Sequence, residues 1–135
     1  MQQKYFLFSL INAVLAMAII TSSCSEKDED IAAPSITFIQ PKANDTVLLT
    51  NGIVNIEVMA QDHISVSDME MKIIDTSGTI LYTYDADGIE DKTYTCHEQF
   101  YPTGITKLTK MKLAVTFSNV YGNWTSKEIN FYVKP

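Results

Sequence analysis

Arginine is absent from this chain, and its ten basic residues are all lysines spread along the sequence. A protein that binds nucleic acid needs a clustered cationic surface, in which arginine forks are the usual phosphate ligands. The formal net charge is −6. The sequence therefore predicts no nucleic-acid partner, and the acidic balance favours solubility without selecting a fold.

Cysteine and histidine are also scarce, with two of each. No Cys-x-x-Cys pair, His-Glu-x-x-His motif or glycine-rich phosphate loop occurs, so the patterns typical of zinc, redox and nucleotide sites are missing. Cys24 and Cys96 give no disulfide framework if Cys24 is modified. No serine is marked as the partner of His63 or His97 in a catalytic triad. We therefore expect a protein that is not an enzyme and that is stabilised by packing.

A long apolar run is present at the N-terminus. Lys4 precedes sixteen uncharged residues, 5–20, which are fewer than the roughly 20 that span a bilayer as a helix. The next residues, Thr21 to Cys24, resemble the lipobox of bacterial lipoproteins, although Thr21 stands where that motif usually has a larger aliphatic residue. We predict a cleaved signal peptide over residues 1–23 and a lipid on Cys24. An ordinary signal peptide and an uncleaved anchor are the alternatives.

Residues 24–33 form an acidic segment that begins Cys-Ser-Glu-Lys-Asp-Glu-Asp. Such a charge run cannot enter a core and predicts a solvated tether. A Cys-Ser pair followed by acids is similar to the export signal of Bacteroides-type lipoproteins. It implies an outer-membrane lipoprotein exposed at the cell surface, with a periplasm-facing position as the alternative.

From Pro34 onward the hydrophobic pattern has a period of two, and turn residues recur about every ten positions. No segment has the pattern of an amphipathic helix of three turns. We predict strands at 36–39, 46–50, 54–61, 66–75, 80–84, 92–101, 107–118 and around Ile129–Val133, with Asp62–Ser65 as a loop. The fold class is all-β, an immunoglobulin-like (Ig-like) antiparallel β-sandwich of about seven strands in one domain, residues 34–135.

The segment Ala114–Val133 has a recognisable form, because Tyr-Gly-Asn-Trp precedes an Ile-x-Phe-x-Val strand. It looks like the last hairpin of bacterial Ig-like and fibronectin-type-III-like domains. With the lipobox and the opening Pro34-x-Ile36…Pro41, the whole chain resembles small lipoproteins of Bacteroides-type bacteria, a family of unknown function with an Ig-like domain. The resemblance implies a fold and an envelope location, and it brings no catalytic residues.

Four aspartates are candidate metal ligands. Asp85, Asp87 and Asp91 flank Gly88, and closely spaced carboxylates around such a turn can offer oxygens to Ca²⁺. An Ig-like winding brings the loops after the second, fourth and sixth strands to one end, which adds Asp62. Calcium is thus the one cofactor that the sequence suggests. The alternative is that Asp and Gly simply form turns.

Two aromatic residues beside a turn, Tyr121 and Trp124, are candidate ligand-binding residues, because such rings can stack on sugars. The alternative is that they pack at the rim of the core. Neighbours in a strand point to opposite faces, so we expect a buried Cys96 and an exposed His97 rather than a metal pair. Asp45-Thr46-Val47 matches the Bacteroides O-glycosylation pattern at Thr46, with a plain turn residue as the alternative.

Together these features predict a non-enzymatic envelope lipoprotein whose Ig-like domain binds a protein or a glycan at the cell surface. A structural spacer or assembly subunit of an outer-membrane complex is the alternative, and a Ca-dependent binding module is a third. The lipid on Cys24 makes the membrane an expected partner, and the ligand stays unknown. The same winding starts the first strand at the end that carries the acidic loops. It places Lys42–Asn51, Thr76–Gly78 and Tyr101–Lys107 at the far end.

Overall fold

The computed structural model describes residues 32–135. The predicted signal peptide, Cys24 and most of the acidic tether lie outside the described residues. Seven β-strands follow one another along the described chain: β1 Ser35–Gln40, β2 Thr46–Leu48, β3 Val54–Ile74, β4 Ile80–Ala86, β5 Asp91–Phe100, β6 Thr109–Asn119 and β7 Trp124–Lys134. No helix long and apolar enough to span a bilayer occurs between residues 32 and 135.

The long strand β3 organises the sandwich, because its two halves belong to different layers. Its first half pairs with β1 and β5, forming the three-stranded layer. Its second half pairs with β4 and β6, and β6 pairs with β7, forming the five-stranded layer together with β2. The short strand β2 runs parallel to the end of β7, whereas the other pairings in the described chain are antiparallel. The predicted all-β Ig-like sandwich of about seven strands is confirmed.

The predicted loop Asp62–Ser65 is wrong, because β3 stays extended through these residues. The pairing of β3 with β5 is interrupted between Gln61 and Val66, so the four residues lie outside the regular ladder. The Asp62 carboxylate replaces the missing partners, since its Oδ1 accepts the backbone N–H groups of Ile64 and Ser65 at 2.8 and 3.1 Å. The segment is therefore a corner at which one strand passes from one layer to the other.

A single hydrophobic core lies between the layers, as the period of two predicts. Alternate residues of β3 and β6 are fully buried, among them Ile56, Met71 and Phe117. Aromatic rings also join the layers, with ring centroids of Tyr94 and Phe117 6.3 Å apart. Burying a side chain as large as Phe117 contributes about 2–3 kcal/mol to folding. Because one face of each strand is buried in this core, a ligand can bind only on the opposite, outer face.

Asn51 and Gly52, a dipeptide that favours tight turns, form the turn before β3. Both residues have positive φ, 61° for Asn51 and 75° for Gly52, the combination that a type I′ turn requires. Thr50 and Ile53 bridge across this turn. It lies at the far end of the sandwich, away from the N-terminal segment.

Candidate functional site

The end of the sandwich at which β1 begins is held together by Asn119, whose exposure is 1%. Its Nδ2 donates to the backbone carbonyl of Ala32 at 2.9 Å and to Asp62 Oδ2 at 3.3 Å. Its Oδ1 accepts the backbone N–H groups of Tyr121 and Asn123 at 3.1 and 3.0 Å. The N-terminal segment, the β3 corner and the β6–β7 turn therefore meet at this end, as the winding predicts.

The four calcium candidates are not brought together as ligands. Asp62 is buried and holds the corner, while Asp91 starts β5 opposite Val66. Asp85 faces Glu70 across the β3–β4 pair, and Asp87 lies in the exposed connection after β4. Within residues 32–135, no three His, Cys, Asp or Glu side chains form a group that could hold a metal ion. The geometry therefore does not support the calcium hypothesis.

Trp124 is the only tryptophan of the chain, and 66% of its surface is exposed. It is the first residue of β7 and lies directly opposite Ser118 of β6. Phe117 and Phe131 are buried on the inner face of the same strands, so Trp124 and Ser118 point to the outer face of the five-stranded layer. Tyr121, at the tip of the turn, is 60% exposed. Neither Trp124 nor Tyr121, the two predicted ligand-binding residues, is buried in the core.

A carboxylate and a second hydroxyl of β3 adjoin Ser118, the β6 residue opposite Trp124. Asp68 Oδ2 accepts a hydrogen bond from Ser118 Oγ at 2.8 Å and another from Ser67 Oγ at 2.5 Å. These two bonds hold the pKa of Asp68 below its usual value, and the bond from Ser67 has the larger effect. The backbone N–H of Gly88 also lowers this pKa. Asp68 is therefore ionised at neutral pH and is an acceptor for hydroxyl groups. We call Trp124, Ser118, Asp68 and Ser67 the Trp124 platform.

A β-bulge creates this arrangement. Val66 pairs with Asn119 and Asp68 pairs with Ser118, so two residues of β3 stand opposite one residue of β6. Bulges of this kind redirect side chains and are common beside functional sites. Here the bulge brings Ser67 within 3.1 Å of Ser118, Oγ to Oγ. Nothing in the alternation of hydrophobic residues singles out these hydroxyls, because the bulge depends on the pairing partner and not on β3 alone.

The opposite end of the five-stranded layer carries lysines that are dispersed in the sequence. Lys110 and Lys112 lie on the outer face of β6, opposite Tyr132 and Asn130 of β7, and Lys134 follows on β7. An open cleft of about 440 Å³ lies here. Its lining consists of Ile74, Asp75, Thr76, Gly78, Lys110, Met111, Lys112 and Asn130. Strand pairing thus produces a local basic surface that the spread of lysines along the chain does not reveal.

Two carboxylates near this cleft already have partners. Asp75 Oδ1 accepts the N–H groups of Ser77 and Thr79 and the Ser77 hydroxyl. These bonds, above all that from the Ser77 hydroxyl, lower the pKa of Asp75. Glu128 Oε1 lies 3.1 Å from Lys112 Nζ and forms an ion pair between β7 and β6.

Glu70, on the outer face of β3, forms its ion pair within its own strand. Glu70 contacts Lys72, two residues along the same strand, at 2.6 Å rather than a lysine of β6. The register explains this, because the β6 residues opposite Glu70 and Lys72 are Thr116 and Ala114. Neither of them can form an ion pair. The hydroxyls of Thr116 and Ser126 are hydrogen-bonded to each other in the adjacent row.

The Cys96-His97 pair behaves as the strand geometry predicts. Cys96 is 1% exposed, and burial raises the pKa of its thiol to about 11. The His97 side chain is 68% exposed on the other face, with Nδ1 3.9 Å from Glu57 Oε1. Thr46 begins β2 and is exposed, so its glycosylation stays a prediction.

The sequence matches no protein-family model, and no curated protein matches it. Among solved structures it is similar to the E. coli chaperone DraB, with 8% identity, a TM-score of 0.50 and coverage of 75% of this chain and 55% of that chain. The periplasmic chaperone SfaE gives 13% identity, a TM-score of 0.50 and coverage of 75% and 57%. CopC from Methylosinus trichosporium OB3b gives 15% identity, a TM-score of 0.49 and coverage of 75% and 95%. The chain spans little more than half the length of either chaperone, and at these identities the likeness shows the fold alone, an Ig-like β-sandwich.

Proposed function

We propose that this chain is a lipid-anchored envelope protein without enzymatic activity, and that its Ig-like domain binds glycans through the Trp124 platform. One observation carries the proposal: the only tryptophan is two-thirds exposed and lies opposite Ser118, whose hydroxyl, like that of Ser67, donates to the ionised Asp68. Sugar rings offer an apolar face to an aromatic ring and hydroxyl donors to a carboxylate. The platform supplies both kinds of contact.

The position of the platform favours a glycan over a folded protein as the ligand. Ala32 is held at the same end as Trp124 by its hydrogen bond to Asn119. Cys24 precedes Ala32 by eight residues, a tether of at most about 28 Å when fully extended. If Cys24 carries a lipid, the platform stands close to the membrane. A thin, flexible polysaccharide can enter that space, whereas a large folded partner would meet the far end first.

The test uses the full chain, purified in detergent and applied to a panel of oligosaccharides. Trp124 fluorescence reports binding to the wild type, and calorimetry measures the variants. We expect Trp124→Ala and Asp68→Asn to weaken binding at least about tenfold each, consistent with losing a stacking ring or a charged hydrogen-bond acceptor. Trp124→Phe should retain much of the affinity. The matched control is Tyr101→Ala, which removes a ring of similar exposure at the far end.

Two outcomes would contradict this function: no glycan binds, or the Trp124→Ala variant binds as well as the wild type. The anchor is tested separately by the intact mass of the mature protein from its native host. A diacylglycerol adduct on Cys24 is expected, and it should be absent from Cys24→Ala. Protease treatment of intact cells then distinguishes a surface position from a periplasm-facing one.

A second function, as an assembly subunit, is favoured by the outer edge of β4. Along the described chain, β3 is the only strand that pairs with β4, so the other edge of β4 is open. Its residues Ile80 and Leu81 are exposed, and the strand contains no lysine, glycine or proline. Edges of this kind can accept a strand from another protein. Leu81→Lys should abolish complex formation in envelope extracts if this edge is the joint, and should leave glycan binding unchanged.

A further inference from the structure

The outer face of the five-stranded layer is continuous from the Trp124 platform to the lysine-lined cleft. Along β7 the outward residues follow in the order Trp124, Ser126, Glu128, Asn130 and Tyr132, alternating with the buried Phe131 and Val133. Trp124 and Asn130 are six residues apart, which corresponds to about 20 Å at roughly 3.4 Å per residue. This length exceeds one sugar ring several times.

The strip between these two sites is low and polar. On β6 the outward residues opposite this part of β7 are Ala114, Thr116 and Ser118, none of which is large. Their neighbours on β7 include Ser126, and the long side chain of Glu128 is drawn toward Lys112. No bulky ring therefore stands between the platform and the cleft among the described residues of β6 and β7. A chain of sugar rings could lie along this strip.

The charge of this face changes sign along its length. Near the platform it carries Asp68, Glu70 and Asp85. At the other end three lysines, Lys110, Lys112 and Lys134, outnumber the carboxylates of Asp75 and Glu128. The two lysines of the cleft stand with the Asn130 amide and the Thr76 residue around one open volume of about 440 Å³. That volume is in the range of small-molecule sites. Lysine ammonium groups there can donate to a carboxylate, while an amide and a hydroxyl can bind sugar hydroxyls.

We infer that the ligand is an extended acidic oligosaccharide, with neutral sugar units on the Trp124 platform and a carboxylate-bearing unit in the cleft at Lys110 and Lys112. This inference rests on the proposed function and adds the ligand's length, its direction and its charge. Asp75 keeps its negative charge and opposes such a unit in part, although three donors of its own loop contact its Oδ1. Glu128 does compete, because it occupies Lys112.

The test compares three ligands on the full chain by calorimetry: a neutral disaccharide, a neutral hexasaccharide and a hexasaccharide with uronic acid units. Affinity should rise in that order, with at least a tenfold gain from the uronic acid, the usual scale for a charge-assisted hydrogen bond. The Lys110→Gln/Lys112→Gln variant should lose the gain from the uronic acid and keep the affinity for the neutral disaccharide. The control is Lys92→Gln, which removes one positive charge on β5, half the change of charge of the double variant.

Glu128→Gln separates this site from a general effect of charge. Removing the carboxylate frees Lys112, so the affinity for the acidic hexasaccharide should rise several-fold while that for the neutral disaccharide should not change. At high salt the gain from the uronic acid should shrink, since exposed charges are screened beyond about 10 Å at 0.1 M and about 3 Å at 1 M.

The outcomes distinguish this inference from the function on which it rests. If the neutral disaccharide binds but neither length nor uronic acid increases the affinity, the inference is wrong and the platform function stands. If the acidic ligand binds equally well to Lys110→Gln/Lys112→Gln, the cleft is not its site and the inference is again wrong. If no ligand of the three binds, both fail.

Discussion

Replacing Asn119 with alanine removes the side chain that joins the N-terminal segment, the β3 corner and the β6–β7 turn. Four hydrogen bonds of this side chain to the described residues are lost at once: two donated by Nδ2 to Ala32 and Asp62, and two accepted by Oδ1 from Tyr121 and Asn123. A typical intramolecular hydrogen bond contributes about 1 kcal/mol net. The backbone N–H groups of Tyr121 and Asn123 can form hydrogen bonds with water instead, because these residues are not buried. Asp62 is buried and loses a donor, so we expect a total loss of about 2–3 kcal/mol.

Urea unfolding followed by far-ultraviolet circular dichroism measures this loss. The midpoint should fall with the m-value unchanged, because the surface exposed on unfolding stays the same. The control is Asn55→Ala, an exposed asparagine that accepts a bond from Gln99, and its effect should stay within about 0.5 kcal/mol. Combining Asn119→Ala with Asp62→Ala should give less than the sum of the two single losses, since both remove the same contact. A loss below about 0.5 kcal/mol for Asn119→Ala would refute the view that this side chain holds the corner.

Three further predictions concern other parts of the fold. The Cys96 thiol, with its pKa raised from 9.0 to about 11, should have roughly a hundredfold smaller thiolate fraction at pH 8 than an ordinary thiol. Alkylation should accordingly be slow in the native protein and fast in urea, as mass spectrometry can show; equal rates would contradict its burial. Because the pKa of Asp68 is lower in the folded state, its ionised form stabilises that state at pH values above the unfolded-state pKa of about 4. This contribution is lost as the pH falls through the folded-state pKa. Asp68→Asn should therefore be less stable than the wild type at pH 7, and thermal melting should find a smaller difference below pH about 4; a constant difference would argue against ionisation as the cause. Lys127 points inward on β7 and donates from Nζ to the Ile36 carbonyl at 2.9 Å. Because an inward-pointing charge on a strand disfavours edge-to-edge pairing, Lys127 should prevent β7 from pairing with another chain. Lys127→Val should self-associate in sedimentation experiments, and a strictly monomeric variant would count against that role.

The strands and the core could be predicted from the sequence because burial has a simple period. Val54, Ile56 and Val58 alternate with polar residues, and a strand with one buried face requires that pattern. The Asn51-Gly52 turn could be predicted for the same kind of local reason, since few other dipeptides adopt two positive φ angles. The position of Cys96 follows from its phase with Tyr94 and Phe100.

The corner and the platform could not be predicted in this way. The polar residues Asp62–Ser65 have the composition of a loop, and the contacts that accompany their extended form include one from Asn119, 57 residues away from Asp62. The Trp124 platform could be predicted in part. An aromatic residue beside a turn is visible in the sequence, whereas Asp68 joins it through the pairing of β3 with β6. The same limit applies to Lys110 and Lys112, whose cleft is completed by residues of β3, of β7 and of the turn after β3.

The direction of β1 has a mechanical consequence. The strand begins beside Ala32 and runs antiparallel to β3 from Ser35 opposite Gln61 to Gln40 opposite Glu57. A pull on the N-terminus, away from the far end of the domain, acts along the axis of β1. All its bonds to β3 are then loaded together in shear, and none is peeled away before the next. Because β3 is one unbroken strand through both layers, covalent backbone carries tension from the five-stranded layer to the half of β3 that pairs with β1. Tension on the tether therefore acts in shear on the whole hydrogen-bonded ladder between β1 and β3.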